Sequence, residues 1–223
     1  MADAGRVLIT GATGGAGRGV LEAFLDAGWR VAAVTRHDAP VEPADVDWVR
    51  ADIADAETAR HMVAGAVGAL GGLDGLVCLA GGYSSARLEE LSWGDFERQI
   101  ARSLRPTVES VLAALPELRQ SAAGSIVTIG AQTALKPGRN AGPYAVAKAA
   151  VATWSLSLAA GLRSSGVRVN CVLPGTIDTE ANRSSMPDAK RDAWVDPREL
   201  GNLLVYLCSP ASRPLTGTAI PIG

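Results

Sequence analysis

Short apolar runs alternate with longer amphipathic segments along this chain, and Gly, Asn or Asp residues bound many of the runs. Runs that are apolar on both faces are typical of parallel strands covered by helices on each side. Strands are predicted at residues 6–10, 30–35, 46–50, 73–79, 125–130, 167–173 and 218–222. Helices are predicted at residues 15–27, 56–70, 93–120, 143–164 and 197–208. We therefore expect a single α/β domain over residues 1–223, built on a parallel sheet.

Composition and charge exclude several classes of protein. Hydrophobic residues make up 48% of the 223 residues and charged residues 20%, which is typical of a globular chain. The net charge of −2 and the absence of any block of like charge make nucleic acid and anionic membranes poor partners. The apolar stretch 149–162 is shorter than the roughly 20 residues that span a bilayer. Because the N-terminus also lacks a signal-peptide pattern, we expect a cytoplasmic protein.

The cysteines, a polar segment and an alanine-rich helix complete the coarse picture. Cys78, Cys171 and Cys208 are widely spaced among apolar neighbours, which predicts reduced, buried thiols with no disulfide and no metal site. Residues 179–195 are polar and irregular and are expected to form a surface flap over a small-molecule substrate. The alanines of residues 143–164 suit close packing either on the sheet or on a second copy of the chain. A homodimer or homotetramer is therefore expected, with packing on the sheet as the alternative.

A glycine-rich segment joins the first predicted strand to the first helix. Glycines permit positive φ and let the backbone approach a diphosphate, and the helix N-terminus beyond offers unpaired N–H groups. The alternative is a tight strand-to-helix turn that binds nothing. The loop residues expected to bind a dinucleotide are Gly11, Thr13, Gly14, Gly15, Ala16 and Gly17.

The residues after the second and third strands bear on the choice of dinucleotide. An acidic residue after the second strand would bind the ribose hydroxyls of NAD, but this chain has Thr35 and then Arg36. A guanidinium pairs with a ribose phosphate, which favours NADP(H), with NAD(H) as the alternative cofactor and a solvated arginine as the alternative interpretation. Asp52 and Ile53 are expected to hold the adenine, although Asp52 could instead cap the next helix.

Tyr144 and Lys148 lie four residues apart in a predicted helix, so both side chains share one face. A nearby ammonium group favours the phenolate, and we expect it to lower the pKa of Tyr144 enough for acid/base chemistry near neutral pH. In isolation, the pair favours the alternative of an ordinary interfacial tyrosine beside a surface lysine.

Taken together, these motifs make the chain similar to the short-chain dehydrogenase/reductase family over nearly its full length. The matching segments are residues 10–17 (TGxxxGxG), Ala80-Gly81 (the end of NNAG), residues 144–148 (YxxxK) and Pro174-Gly175 with Thr179 (PGxxxT). The resemblance implies a three-layer, Rossmann-like, doubly wound parallel sheet of about seven strands and hydride transfer with a nicotinamide. It also implies that Tyr144 is the acid/base and that Lys148 binds ribose hydroxyls and activates Tyr144. The further cofactor-binding residues that it implies are Ala80, Gly81, Pro174, Gly175, Ile177 and Thr179.

Three positions depart from the family pattern. Ala131 stands where the family has its catalytic serine, Ser103 where it has a proton-relay asparagine, and Cys78-Leu79 where it usually has two asparagines. Loss of one preorganised oxyanion donor costs on the order of 2.7 to 4 kcal/mol in the transition state. Reduction of ordinary ketones should therefore be impaired unless Gln132 or Thr133 supplies the missing donor.

One branch of the family, the quinonoid dihydropteridine reductases, resembles the chain at these departures. That branch has alanine at the serine position, an Ala-Gly-Gly-aromatic stretch like residues 80–83, and a flap like residues 182–188. It differs in carrying Asp where Thr35 stands. A conjugated, electron-poor acceptor needs less polarisation than a ketone, which would make Ala131 tolerable. The residues expected to line the substrate are Tyr83, Ala131, Gln132, Met186 and Trp194.

The sequence thus predicts an NAD(P)H-dependent oxidoreductase that prefers NADP and acts on a small carbonyl-type or conjugated, dihydropterin-like acceptor. The alternative is a non-catalytic NADP-binding sensor or scaffold, which the alanine at position 131 suggests.

Overall fold

The computed structural model describes residues 5–38 and 43–223, and its strands form one parallel sheet. The strands are β1 (Arg6–Thr10), β2 (Arg30–Thr35), β3 (Val46–Arg50), β4 (Gly75–Cys78), β5 (Ser125–Ile129), β6 (Arg168–Pro174) and β7 (Thr218–Ile222). Their order in the sheet is β3-β2-β1-β4-β5-β6-β7, and every neighbouring pair is parallel. This arrangement confirms the predicted doubly wound sheet of seven strands. Residues 1–4, on which the expectation about a signal peptide depends, lie outside the described residues.

Side-chain caps mark where several of the helices begin. The helices are α1 (Gly17–Asp26), α2 (Ala56–Leu70), α3 (Trp93–Leu118), α4 (Gly142–Gly161), α5 (Glu180–Ser185) and α6 (Pro197–Cys208). At the start of α2, the Asp55 carboxylate accepts hydrogen bonds from the Glu57 and Thr58 amides, and Gly71 ends the helix in the left-handed conformation. These local signals explain why the bounds of α2 match the prediction from sequence.

Alternating side chains of the central strand divide the core into two layers. Val7 and Ile9 of β1 pack with α1 and α6 on one face of the sheet, whereas Leu8 packs with α2 and α3 on the other. Helix α4 packs beside α3 on this second face. Because both faces are covered, the central strands are apolar at successive positions, as the sequence pattern indicated.

The chain changes direction across the sheet between β1 and β4. Strands β2 and β3 extend to one side of β1, while β4 and the later strands extend to the other. Loops leaving the carboxyl ends of β1 and β4 therefore diverge to opposite faces and leave a crevice between them.

Several predicted boundaries differ from the structure. The first helix begins at Gly17 rather than at residue 15, since the preceding glycines form a turn, and β4 is shorter than residues 73–79. The flap at 179–195, expected to be irregular, contains the short helix α5, which begins because the Thr179 hydroxyl accepts a hydrogen bond from the Asn182 amide. Helix α4 ends at Gly161, and a 3₁₀ turn follows at Arg163–Ser165.

The cysteines and the hydropathy of the helices agree with the sequence pattern. Cys78, Cys171 and Cys208 are buried free thiols, and burial raises the pKa of both Cys78 and Cys208 to about 12. Of the helices that the structure describes, none combines the length and the apolar character needed to span a bilayer.

Candidate active site

A cleft of about 690 Å³ opens in the crevice between β1 and β4. It brings together the predicted dinucleotide-binding residues from the ends of the first four strands. Those that line it are Gly11, Thr13, Gly14, Gly15, Ala16, Gly17, Arg36, Asp52, Ile53, Ala80 and Gly81. Sequence motifs separated by up to seventy positions thus meet in one concave surface large enough for a cofactor.

The glycine-rich loop needs glycine at two of its positions for reasons of space and conformation. Gly11 has φ +70°, and a Cβ there would lie 2.5 Å from the Ala80 amide nitrogen. A Cβ on Gly17 would collide with the Ala12 carbonyl. The turn itself therefore requires these two glycines, which agrees with the alternative of a tight strand-to-helix turn that binds nothing. Gly14 is exposed and a Cβ there would meet only the Gly11 carbonyl oxygen at 3.1 Å, so packing alone does not account for it.

The N-terminus of α1 favours an anion-binding loop over a turn that binds nothing. No side chain caps this terminus, and its first turn contains no acidic residue. The positive end of the helix dipole therefore lies beside the glycine-rich loop, with no acidic side chain in the first turn to offset it. Helix α1 and the exposed loop glycines fit the diphosphate of a nicotinamide dinucleotide.

The residues after β2 and β3 are placed at one end of the cleft. The buried Thr35 hydroxyl accepts a hydrogen bond from the His37 amide and closes a turn that leaves Arg36 exposed on the cleft wall. Within the described residues, the Arg36 guanidinium has no hydrogen-bond or ion-pair partner. Asp55, and not Asp52, caps α2, so the capping role considered for Asp52 is wrong. Asp52 instead lines the cleft with its carboxylate available to a ligand.

Helix α3 contributes arginines that the sequence reasoning did not single out. Arg98, Arg102 and Arg105 line the same cleft, together with Ala101 and Pro106. Their spacing of four and three residues places them on one helix face, and this periodicity was the signal available in the sequence. Among the residues described as lining the cleft, Asp52 supplies the carboxylate that opposes them. The cleft is therefore strongly cationic and suits a polyanionic ligand.

A buried glutamine fixes the loop after β4 against α3. The Gln99 amide donates to the Gly82 carbonyl at 2.7 Å and to the Ser103 hydroxyl at 2.9 Å, and its oxygen accepts from Ser84 at 2.6 Å. Ser103, at the position of the family's relay asparagine, is fully buried in this network. The loop carrying Ala80 and Gly81 is thus held rigidly beside the cleft.

Tyr144 and Lys148 lie in the first two turns of α4, next to this loop. The Lys148 ammonium donates to the Ile129 carbonyl at 2.8 Å and would lie 3.3 Å from a Cβ on Gly81. It also lies 6.0 Å from the centroid of the Tyr144 ring. The pair therefore adjoins the end of the cleft formed by Gly81, and Lys148 is buried between β5 and the loop.

The expectation that Lys148 lowers the pKa of Tyr144 is wrong for this structure. Burial, and to a lesser extent the neighbouring Tyr83 phenol, raise the pKa of Tyr144 to about 12. Burial also lowers the pKa of Lys148 to about 8. The hydrogen bond of Lys148 to Ile129 directs the ammonium toward the strand, so it does not act strongly on the phenol. At neutral pH, Tyr144 is consequently a protonated phenol that can donate a proton.

The turn after β5 shows what has replaced the catalytic serine. Ala131 is buried and carries no polar side-chain atom. The Gln132 amide nitrogen donates to the carbonyls of Ile222 and Gly223 at 2.9 and 2.8 Å, so it is engaged at the C-terminal strand. The Thr133 hydroxyl is buried, with no hydrogen-bond partner among the described residues. The structure therefore shows no donor from Gln132 in place of the missing serine hydroxyl.

The segment after β6 borders the glycine loop from the other side. A Cβ on Gly15 would lie 2.9 Å from Thr179, so the two residues are in close contact. The Gly175 amide donates to the Ile222 carbonyl, and Ile177 pairs with Val195 in an isolated bridge. Pro174 ends β6 at the edge of the sheet that carries the cleft. Of these four residues predicted for the nicotinamide end, Thr179 contacts the loop, and none of the four lines the cleft itself.

The residues predicted to line the substrate are only partly brought together. Tyr83 is 58% exposed and meets Tyr144 edge to face, with 5.0 Å between ring centroids. Met186 lies exposed at the end of α5. Trp194 lies beside Arg191 and lines a separate cavity of about 360 Å³ with Gly223. Of these three residues, Tyr83 is the one that contacts Tyr144 directly.

Comparison with known proteins connects this geometry to a family. A family model described as enoyl-(acyl carrier protein) reductase matches residues 11–222. A 2,5-dichloro-2,5-cyclohexadiene-1,4-diol dehydrogenase of Sphingobium indicum is 30% identical over 237 residues, covering 98% of this chain and 95% of that protein. An L-rhamnose 1-dehydrogenase (NAD(P)(+)) of Sphingomonas sp. is 31% identical over 235 residues, covering 96% and 92%.

Solved structures show the same fold. The structure of ElxO with NADP bound superposes with a TM-score of 0.90 at 23% identity and covers 98% of this chain and 97% of ElxO. At this identity, the likeness concerns the fold alone, and it agrees with the seven-stranded parallel sheet described above.

Proposed function

Since the chain belongs to the short-chain dehydrogenase/reductase family, we propose that it is an NADP-preferring oxidoreductase acting on a small carbonyl-type or conjugated acceptor. Two relatives are named as dehydrogenases, one of a cyclohexadienediol and one of L-rhamnose, and the name of the second includes NAD(P)(+). The observation that carries the proposal is the position of Tyr144 and Lys148 beside the Gly81 end of the cleft that the glycine-rich loop lines.

The bound nicotinamide would supply or accept the hydride. The chain's own residues supply the proton and the positions of the reactants. With its pKa raised to about 12, Tyr144 holds its proton at neutral pH and donates it to the acceptor atom that gains negative charge. Lys148, fixed by the Ile129 carbonyl, offers its remaining N–H groups to ribose hydroxyls next to Gly81. This division of roles suits reduction of the acceptor.

The acceptor proposed to react best is conjugated, as a quinonoid dihydropterin is. Ala131 supports this choice because position 131 carries no hydroxyl to stabilise a developing alkoxide, and the Gln132 amide is engaged elsewhere. The exposed ring of Tyr83, set edge to face on Tyr144, offers an aromatic surface on which a flat acceptor can stack.

The proposal is tested by following NADPH oxidation against ketones, quinones and a quinonoid dihydropterin. Turnover is expected with the conjugated acceptors and only slow turnover with simple ketones. The second candidate function, a non-catalytic NADP sensor or scaffold, is favoured by Ala131 as well. Tight NADPH binding with no turnover of any acceptor would support that alternative and contradict the enzyme.

Arg36→Ala is expected to weaken NADPH binding by about ten- to a hundredfold and to change NADH binding by less than about threefold. The guanidinium lies at the end of the cleft formed by the residues after β2, where it can pair with a 2′-phosphate that NADH lacks. The measurement is the Kd of each dinucleotide from the fluorescence of its reduced nicotinamide.

Arg60→Ala is the matched control for Arg36, because Arg60 is an exposed arginine of α2 that does not line the cleft. Both affinities should stay unchanged in that variant. Equal losses of NADPH and NADH affinity in Arg36→Ala would rule out a specific role for Arg36 at the 2′-phosphate.

We further propose that the protein forms a homodimer or homotetramer through α3 and α4. These helices pack side by side and expose Leu112, Val146 and Leu156, which are 55%, 50% and 40% accessible. Light scattering should therefore give a particle mass of two or four times 22.9 kDa. The double variant Val146→Glu/Leu156→Glu should give 22.9 kDa itself, and wild-type protein of that mass would contradict the proposal.

A further inference from the structure

The arginine face of α3 approaches the cleft from the layer opposite to the glycine-rich loop. The loop leads into α1, which packs on one face of the sheet, while α3 packs on the other. Both reach the cleft at the carboxyl edge of the sheet, so a ligand lying on the loop is met by α3 from its second side. Arg102 and Arg105 extend from that second side.

Two of these arginines have no partner within the part of the chain that the structure describes. Arg98 forms an ion pair with Asp95, which belongs to its own helix. Arg102 and Arg105 have neither a hydrogen bond nor an ion pair among the described residues, and the carboxylate described in the cleft wall, Asp52, does not pair with them. Two long cations held on a concave surface without counter-charges repel each other, and an anion bound between them would relieve that repulsion.

The position of Arg102 along the cleft indicates which part of a dinucleotide it meets. A Cβ on Gly82 would lie 2.6 Å from the Cζ atom of Arg102, so the guanidinium covers the loop after β4. Arg36 lies after β2, and β1 with its glycine loop separates the two strands. Arg102 therefore lies nearer to the central, diphosphate-binding part of the cleft than to the end where Arg36 lies.

We propose that Arg102 and Arg105 bind the diphosphate of the dinucleotide from the α3 side and complete a clamp with the N-terminus of α1. The identity of the ligand rests on the proposed function, whereas the clamp itself concerns binding and not turnover. A guanidinium offers a planar fork of N–H donors that matches the oxygens of a phosphate group. Gln99 holds the loop after β4 against α3, so Arg102 is kept close to the loop residues that border the cleft.

The clamp is tested by titrating the full-length protein with NADPH and with NADH and following the fluorescence of the reduced nicotinamide. Arg102→Ala and Arg105→Ala should each weaken both dinucleotides by about tenfold, because the diphosphate is common to the two. Affinity in wild-type protein should fall as NaCl is raised, and the double variant should show a shallower dependence on salt. Arg102→Lys keeps the charge but loses the fork, and should recover part of the affinity.

Arg119→Ala provides the matched control, because Arg119 is an exposed arginine at the end of the same helix and does not line the cleft. Unchanged affinities for both dinucleotides in the Arg102 and Arg105 variants would overturn the clamp. A loss of affinity confined to NADPH would also overturn it, because that result would place these arginines at the 2′-phosphate. The outcome is independent of catalysis. If wild-type protein binds NADPH but turns over no acceptor, the proposed enzyme is contradicted and the clamp is not. If wild-type protein turns over an acceptor but the Arg102 and Arg105 variants bind both dinucleotides normally, the clamp is contradicted and the enzyme is not.

Discussion

Tyr144→Phe is expected to lower kcat for the best acceptor by about 10²- to 10⁴-fold, the usual contribution of a positioned general acid. The substitution removes the phenolic O–H and keeps the ring that packs against Tyr83. Lys148 and its bond to the Ile129 carbonyl remain, so NADPH should bind with wild-type affinity. Steady-state turnover at saturating NADPH measures the first effect, and a fluorescence titration measures the second.

Two control variants separate the role of Tyr144 from that of tyrosine in general. Tyr206→Phe removes a phenol from the exposed surface of α6 and should leave kcat unchanged. Tyr83→Phe removes the second phenol of the site, at the ring that lies 5.0 Å from Tyr144, and should reduce kcat far less than Tyr144→Phe. Full activity in Tyr144→Phe, or an equal loss in Tyr83→Phe, would mean that Tyr144 is not the proton donor.

The sheet and the cleft could be predicted from the sequence because their signals are local and reinforce one another. The run of apolar residues in β1 leads directly into Gly11, whose positive φ favours glycine at the start of the turn. The cap at the start of α2 is also a local feature, although the sequence offers Asp52 as a candidate for it and the structure shows Asp55. Such features depend on neighbours in the chain, which a single sequence displays.

Other properties of the site depend on contacts between distant segments. The pKa of Tyr144 follows from burial and from Tyr83, sixty-one positions away in the chain, and the i, i+4 spacing to Lys148 gave the wrong direction. The sequence offers Gln132 as a candidate donor, but in the structure its amide donates to the carbonyls of Ile222 and Gly223. The sequence shows which polar groups are present but not which of them are hydrogen-bonded to distant segments of the folded chain.

The largest gain of function is expected from Ala131→Ser, which restores the hydroxyl typical of the family. Ala131 follows β5 two residues after Ile129, whose carbonyl fixes Lys148, so the new hydroxyl lies at the edge of the Tyr144 and Lys148 site. An added oxyanion donor should raise kcat for a simple ketone by about 10²-fold. Turnover of a quinonoid acceptor should change by less than about threefold, since its hydride addition builds up less charge on a single atom.

The two acceptors must respond differently for this interpretation of Ala131 to hold. Ala134→Ser places a hydroxyl in the same 3₁₀ turn, three residues further on, and should alter neither rate. If Ala131→Ser keeps its thermal stability and yet gains nothing with any ketone, another group already stabilises the oxyanion, and the buried Thr133 hydroxyl becomes the first candidate. An equal gain with both acceptors would show instead that Ala131 does not select conjugated substrates, because the serine would then assist a step that the two reductions share.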